Sequence, residues 1–289
     1  MALSDQGKKE HPSTYFVEDR ANKEELIRLR LQDHLLTVGM GGVLPEQSDP
    51  TIFKRVLDVG CGTGGWLIET AKQYPEINEL VGVDISSKMI EYAREQAERG
   101  GVADRVKFHV MDALRMLEFP TNFFDLVNER IDGSFLRTWD WPKFLLECQR
   151  VTQPGGVIRV TECNLPETTS PAVNRFYNLL LESFYRSGHF FTFDRCSVID
   201  ELPHLLHQYG AENVQTRLHK LDYHANTVEG QSFAENVKLG FQTLRPFFSK
   251  WSQLPPDYDS ILPQALQEMQ QLGFTATWTL LTAWGVKQG

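Results

Sequence analysis

The sequence predicts a doubly wound α/β fold on a mostly parallel sheet, and three observations lead there. Short apolar runs alternate with amphipathic stretches of helical length from about residue 55 to residue 162. Several of those runs, RVLDVG (55–60) and ELVGVD (79–84) among them, are apolar on both faces, as strands covered by helices on either side must be. The first run breaks into glycines, with Gly60, Gly62 and Gly65 spaced as G-x-G-x-x-G.

Each element follows from its residues. The opening MALSDQGKKEHPS is polar and lacks the apolar core that a signal peptide needs. Residues 22–36, NKEELIRLRLQDHLL, carry leucines near helical spacing and predict an amphipathic helix. Arg28 and Arg30, interleaved with Glu24 and Glu25, read as its solvated face. A Gly/Pro-rich link then leads into the strand at 55–60. A helix over 64–74 stops before Pro75, and the strand at 79–84 leads to a helix over 86–101 with a serine cap and Gly100 as terminator. Strands over 105–113 and 123–130 follow, then a helix over 141–156 ending at a Pro-Gly-Gly turn, then a strand over 157–162. Further on, a helix is expected over 197–210 and strands over 213–223 and 274–287. Segments 165–194 and 225–272 break the alternation, look helical and are rich in aromatics. They are expected as caps above the sheet, because ligands of open α/β sheets bind beyond the carboxyl ends of strands. The whole of 1–289 is expected to form one domain.

Composition narrows the function. The 289 residues carry a formal charge of −9, which argues against a broad nucleic-acid face. No apolar run reaches the length of a membrane span. Cys61, Cys148, Cys163 and Cys196 are scattered without a C-x-x-C pair, which suits reduced thiols better than a disulfide framework or a zinc site. His204, His207, His219 and His224 lack the spaced carboxylate or cysteine that would complete a metal set. A soluble cytoplasmic protein is expected, without metal; its oligomeric state is open and a homo-oligomer is compatible with the sequence.

The informative residue is Asp58, two positions before the first glycine. A nicotinamide dinucleotide would bring a pyrophosphate to this turn, and the carboxylate would repel it. S-adenosylmethionine would bring an ammonium and a sulfonium, both of which Asp58 attracts. Asp84, closing the next strand, is a hydrogen-bond acceptor for a ribose diol. Asp112 follows the third strand, where an adenine amino group can donate to it, with Met111 and Ala113 lining the ring. Three strand-end acids are far more specific than the glycines alone.

The runs VLDVGCGTGGW, VGVDIS, FHVMDA, FDLVNER and RVTQPGGVIRVTE together resemble the class I S-adenosylmethionine-dependent methyltransferase family. The resemblance is strongest to the small-molecule branch of ubiquinone/menaquinone methyltransferases and fungal secondary-metabolism regulators, and it covers about residues 54–164 and the two C-terminal strands. It implies a Rossmann-like sheet of seven strands whose last, at 273–289, inserts antiparallel. It implies Gly60, Cys61 and Gly62 along the methionine moiety, Asp84 and Ile85 at the ribose, and Asp112 and Ala113 at the adenine. Asn128, Glu129 and Arg130 would border the methionine end, and Met89 would pack under adenine. Tyr15 and the E-x-x-R-L-x-x-Q pattern from Glu25 to Gln32 resemble a lid helix of that branch, expected over 13–40.

The function expected is methyl transfer to a small, largely apolar acceptor at oxygen, nitrogen or carbon, with a cofactor-binding regulator as the alternative. A base is needed only if the acceptor must lose a proton. His189, amid Phe190, Phe191 and Phe193, is one candidate, with a packed structural histidine as the other reading. Glu162, ending the fifth strand, is a candidate either for catalysis and substrate contact or for a buried hydrogen-bonding role. Tyr15, Gln32, Phe190 and Phe191 are expected to close over the acceptor. So are Phe176, Tyr177, Phe184 and Tyr185 of the first cap, and Phe233, Phe241, Phe247, Phe248 and Trp251 of the second, insofar as packing within the caps leaves them free.

Overall fold

The structure is a computed structural model that describes Tyr15 and residues 23–289. The part of the 13–40 lid that falls on 13, 14 and 16–22 lies outside the described residues. Five parallel strands, β1 (Arg55–Val59), β2 (Glu79–Asp84), β3 (Val106–Val110), β4 (Phe124–Arg130) and β5 (Thr152–Cys163), form most of the sheet. A two-residue strand, β6 (Glu167–Thr168), and the long β7 (Ala211–His224) and β8 (Thr275–Lys287) complete it. The order across the sheet is β3-β2-β1-β4-β5-β8, with β8 antiparallel to β5 and β7 antiparallel to β8. The seven strands implied by resemblance are present, and β6 is an eighth that pairs with β8 through Glu167 and Thr168.

The chain winds from β1 outward to β3 and then crosses back to β4. That reversal opens a crevice at the carboxyl ends of β1 and β4, where open α/β sheets bind ligands. Side chains alternate across the sheet, so Val56 joins one core and Leu57 and Val59 the other. Helices α2 (Gly65–Gln73) and α3 (Ser87–Arg99) cover the first face; α4 (Trp141–Val151) and α6 (Ser197–Gln208) cover the second. Ser86 caps α3 by accepting from the Met89 N–H.

Helices α5 (Pro171–Arg186), α7 (Val228–Trp251) and α8 (Tyr258–Met269) lie within 165–194 and 225–272, and their buried side chains join the second core. Phe176 of α5 stacks on Phe241 of α7 at 4.1 Å and meets Phe248 edge-on at 5.5 Å. Such pairs stabilise beyond their buried area, which ties the two caps into one body. No helix among the described residues is long and apolar enough to cross a membrane.

Two expectations need correction. The helix expected to 156 ends at Val151, where the Thr152 hydroxyl donates to the Cys148 carbonyl. Pro154 has no N–H to continue a helix, and residues 152–156 already run into β5 through an irregular register. The N-terminal helix α1 (Lys23–Gly39) does not turn a purely apolar face inward. Its buried residues include Glu25 and Arg28, so Arg28 is not part of a solvated face, whereas Ile27 is half exposed.

Candidate active site

The glycine turn joins β1 to α2, and its shape depends on Gly60. Gly60 has φ +72°, and a Cβ there would run into the carboxylate of Asp132. Glycine is therefore required twice, by backbone conformation and by the close approach of an acid. The Gly62 N–H, at φ +51°, donates to Asp84 Oδ2 at 3.1 Å, and the Ser86 N–H donates to Asp84 Oδ1 at 2.7 Å. These two donors fix the orientation of the acid that ends β2.

Asp58 is held from the opposite side. Asn128 Nδ2, on the neighbouring β4, donates to Asp58 Oδ1 at 2.6 Å. Asn128 is fixed in turn by Arg159 of β5, whose Nη1 donates to its Oδ1 at 2.6 Å. Arg159 is 0% exposed and pairs with Glu46 at 2.7 Å, so a buried chain runs Glu46–Arg159–Asn128–Asp58. Burial pushes the Asp58 carboxyl up to about 7, against the Asn128 amide and Arg159, with Asp84 adding to the rise.

The end of β4 brings a third group of acids. Ile131 has φ +65°, which turns the chain so that Asp132 faces the glycine turn. Asp132 is 4% exposed, and its Oδ2 has no hydrogen-bond partner among the described residues. Its N–H donates to Glu129 Oε1 at 2.7 Å, and the Gly133 N–H donates to Glu162 Oε1 at 2.5 Å. Burial, then Glu162 and Asp132 nearby, drives the Glu129 carboxyl well up. Glu162 itself is pushed up to about 7, mainly by burial. Burial, then Glu162, Asp58 and Asp84, raises Asp132 too. Together these carboxyls are crowded and buried, so ionising them is costly unless a positive charge lies beside them.

That arrangement makes stability depend on pH. Asp58 and Glu162 have ordinary values of 3.8 and 4.5 and values of about 7 in the fold, so between those limits the native state binds more protons. Their contribution to stability is full below about 4 and is lost as pH rises through about 7. The melting temperature of the ligand-free protein is expected to fall from pH 6 to pH 8. A rise over that interval would contradict these raised values.

The acids border one cavity of about 300 Å³. Asp58, Gly60, Cys61, Gly62, Asp84, Ile85, Met89, Met111, Asp112, Ala113 and Arg130 all line it, as do Glu162, Phe190, Tyr15 and Gln32. Asp112 accepts from the Leu114 N–H at 2.9 Å and pairs with Arg115 at 3.2 Å. On α1, Arg28 binds Glu25 through Nε at 2.8 Å and Nη2 at 2.7 Å, and its Nη1 donates to Gln32 Oε1 at 2.6 Å. Tyr15 donates to Glu25 at 2.5 Å, while Asp33 of the same helix pairs with Arg130.

Other expected site residues stand elsewhere. Asn128 and Glu129 sit behind the lining, where they hold Asp58, Asp132 and Glu162. His189 is 1% exposed and outside the lining; its Nδ1 meets Ser187 Oγ at 2.7 Å and its ring packs on Phe184 and Phe247. The reading of His189 as a base is corrected on that ground: walled in by aromatics, it is a packed residue. Phe191 is also off the lining, packed against the core. In the second cap, Phe233, Phe241, Phe247, Phe248 and Trp251 pack within the fold and do not line the cavity. Tyr185 is half exposed. From the caps the wall is built by Phe176, Tyr177, Leu180 and Phe184 of α5 and by Asn236, Val237, Gly240 and Leu244 of α7.

Residues 56–156 match the family described as Methyltransferase domain. That stretch holds the glycine turn, Asp58, Asp84, Asp112 and Asp132. The chain is 36% identical over 113 residues to demethylmenaquinone methyltransferase of Lactiplantibacillus plantarum, covering 39% of this chain and 46% of that one. It is 32% identical over 179 residues to the chloroplastic tocopherol O-methyltransferase of Arabidopsis thaliana, covering 60% of this chain and 49% of the relative. The matched region thus spans less than half the length of these relatives. Among solved structures, the YcgJ protein of Bacillus subtilis aligns with a TM-score of 0.55 at 22% identity, covering 82% of this chain and 92% of its own. Phosphoethanolamine N-methyltransferase 2 of Haemonchus contortus, solved with phosphomonomethylethanolamine and S-adenosylhomocysteine, aligns with a TM-score of 0.54 at 20% identity, over 95% of this chain and 60% of its own. These two likenesses establish the fold.

Proposed function

We propose that the protein transfers a methyl group from S-adenosylmethionine to a small, largely apolar acceptor held under the caps. The observation that carries this reading is the ring of buried carboxyls around a glycine turn that only a cation-bearing ligand suits. Two features of the chain fit the cofactor: Asp132 keeps an unpartnered buried oxygen, and Gly60, lacking a side chain, lets that acid come close to the glycine turn. When bound, S-adenosylmethionine supplies an electrophilic methyl carbon on its sulfonium.

The chain's own residues do the rest. Asp84 accepts from the ribose diol, and Asp58 and Asp132 attract the positive end. Asp112, with Met111 and Ala113, borders the adenine. The caps and α1 exclude water and hold the acceptor on the line of displacement, and that alignment supplies much of the rate. If the acceptor atom carries a proton, Glu162, a cavity-wall carboxyl raised to about 7, is able to take it near neutral pH. Scattered thiols and a net charge of −9 favour a cytoplasmic enzyme of small molecules without a nucleic-acid partner. The resemblance to the fungal branch favours secondary metabolism.

Asp84→Ala tests the placement of the cofactor. Losing the acceptor leaves the diol unpaired in a partly dry site, and S-adenosylhomocysteine should bind about 1–3 kcal/mol more weakly by calorimetry. Unchanged affinity in a folded Asp84→Ala protein would remove that carboxylate from the site.

A further inference from the structure

Helix α7 presents a face to the cavity made of Asn236, Val237, Gly240 and Leu244. Two of these four, Asn236 and Gly240, are poor helix formers set one turn apart in the middle of a 24-residue helix. Neither caps an end, and both fall on the stripe that meets the cavity. Local preference broken at adjacent positions of one face marks a functional demand on that face.

Asn236 is 8% exposed, and its Oδ1 has no hydrogen-bond partner among the described residues. The same cavity wall carries Phe176, Tyr177, Leu180 and Phe184 from α5. A carboxamide oxygen withdrawn from water and left without a donor is penalised in the free protein. Gly240 lets α5 come close: a Cβ there would lie 3.4 Å from the tip of the Phe176 ring, so a larger side chain would press on it.

We propose that Asn236 is the polar anchor of the acceptor subsite, accepting a hydrogen bond from a hydroxyl or N–H on an otherwise flat, apolar acceptor in the cavity between α5 and α7. This rests on the methyltransferase reading and adds to it the chemical class of the acceptor. An acceptor with no such donor leaves the amide oxygen unpaired and is discriminated against, as happens wherever a buried polar group is built to meet a ligand. Asn236 acts in specificity, away from the carboxyls that meet the cofactor.

The test uses the full chain saturated with S-adenosylhomocysteine and two probes, 4-phenylphenol and its oxygen-free parent biphenyl, titrated against tryptophan fluorescence. The wild type is expected to bind the phenol roughly tenfold more tightly than the hydrocarbon, the worth of one buried hydrogen bond. In Asn236→Leu the preference should vanish, while the melting temperature of the ligand-free protein stays level or rises, because a penalised amide has been removed. No preference in the wild type, a preference that survives in Asn236→Leu, or a variant that fails to fold would each overturn the proposal. S-adenosylhomocysteine affinity is measured alongside in both proteins. Its absence from the wild type would sink the methyltransferase reading itself, whereas its presence with an unchanged phenol preference sinks only the role of Asn236.

Discussion

Gly60→Ala is expected to abolish measurable S-adenosylhomocysteine binding and to lower the melting temperature. The backbone at 60 has φ +72°, where an L side chain costs about 1–2 kcal/mol. The added Cβ also meets the Asp132 carboxylate at the end of β4. Either the glycine turn or the β4 end must move, and both border the cavity. By calorimetry the variant should show no heat with S-adenosylhomocysteine at concentrations that saturate the wild type. Wild-type affinity in Gly60→Ala would mean that the turn does not approach the ligand.

Arg159→Met should be the most destabilising of the substitutions considered. It leaves Glu46 as an unpaired buried charge, and breaking such a pair costs about 3–5 kcal/mol. It also frees the Asn128 amide that positions Asp58. The two effects separate in the double variant Glu46→Met, Arg159→Met. Replacing both ions with apolar residues should recover most of the stability, measured by urea denaturation. Cofactor affinity should remain reduced, because Asn128 still lacks its donor. Full recovery of affinity in the double variant would show that Arg159 acts on stability alone.

The parts of this site written in local sequence were readable there. The β1 run, the glycines and Asp84 announce the turn between β1 and α2 and the acid it holds, because strand period, positive φ and a strand-end acid each leave a mark within a few residues. The caps were legible in outline from their aromatics. What those aromatics do was not: Phe233 stacks on Tyr223 at 4.8 Å and the wall falls instead to Asn236 and Gly240, a choice made by the rotation of α7. The role of Arg159 is not legible locally, since its partner Glu46 lies 113 residues away in a loop. Asp132 was missed because the positive φ of Ile131 is not written in its side chain. A second signal could have been found: Glu25 and Arg28, three apart on one helix, were already spaced to pair.

The central claim is that buried acids around the glycine turn select a cationic adenosyl ligand over a dinucleotide. Calorimetric titration of the wild-type chain at pH 8 with S-adenosylmethionine, and separately with NAD, tests it most directly. Saturable binding of S-adenosylmethionine with no heat from NAD is the predicted result. Saturable NAD binding without any response to S-adenosylmethionine would contradict it.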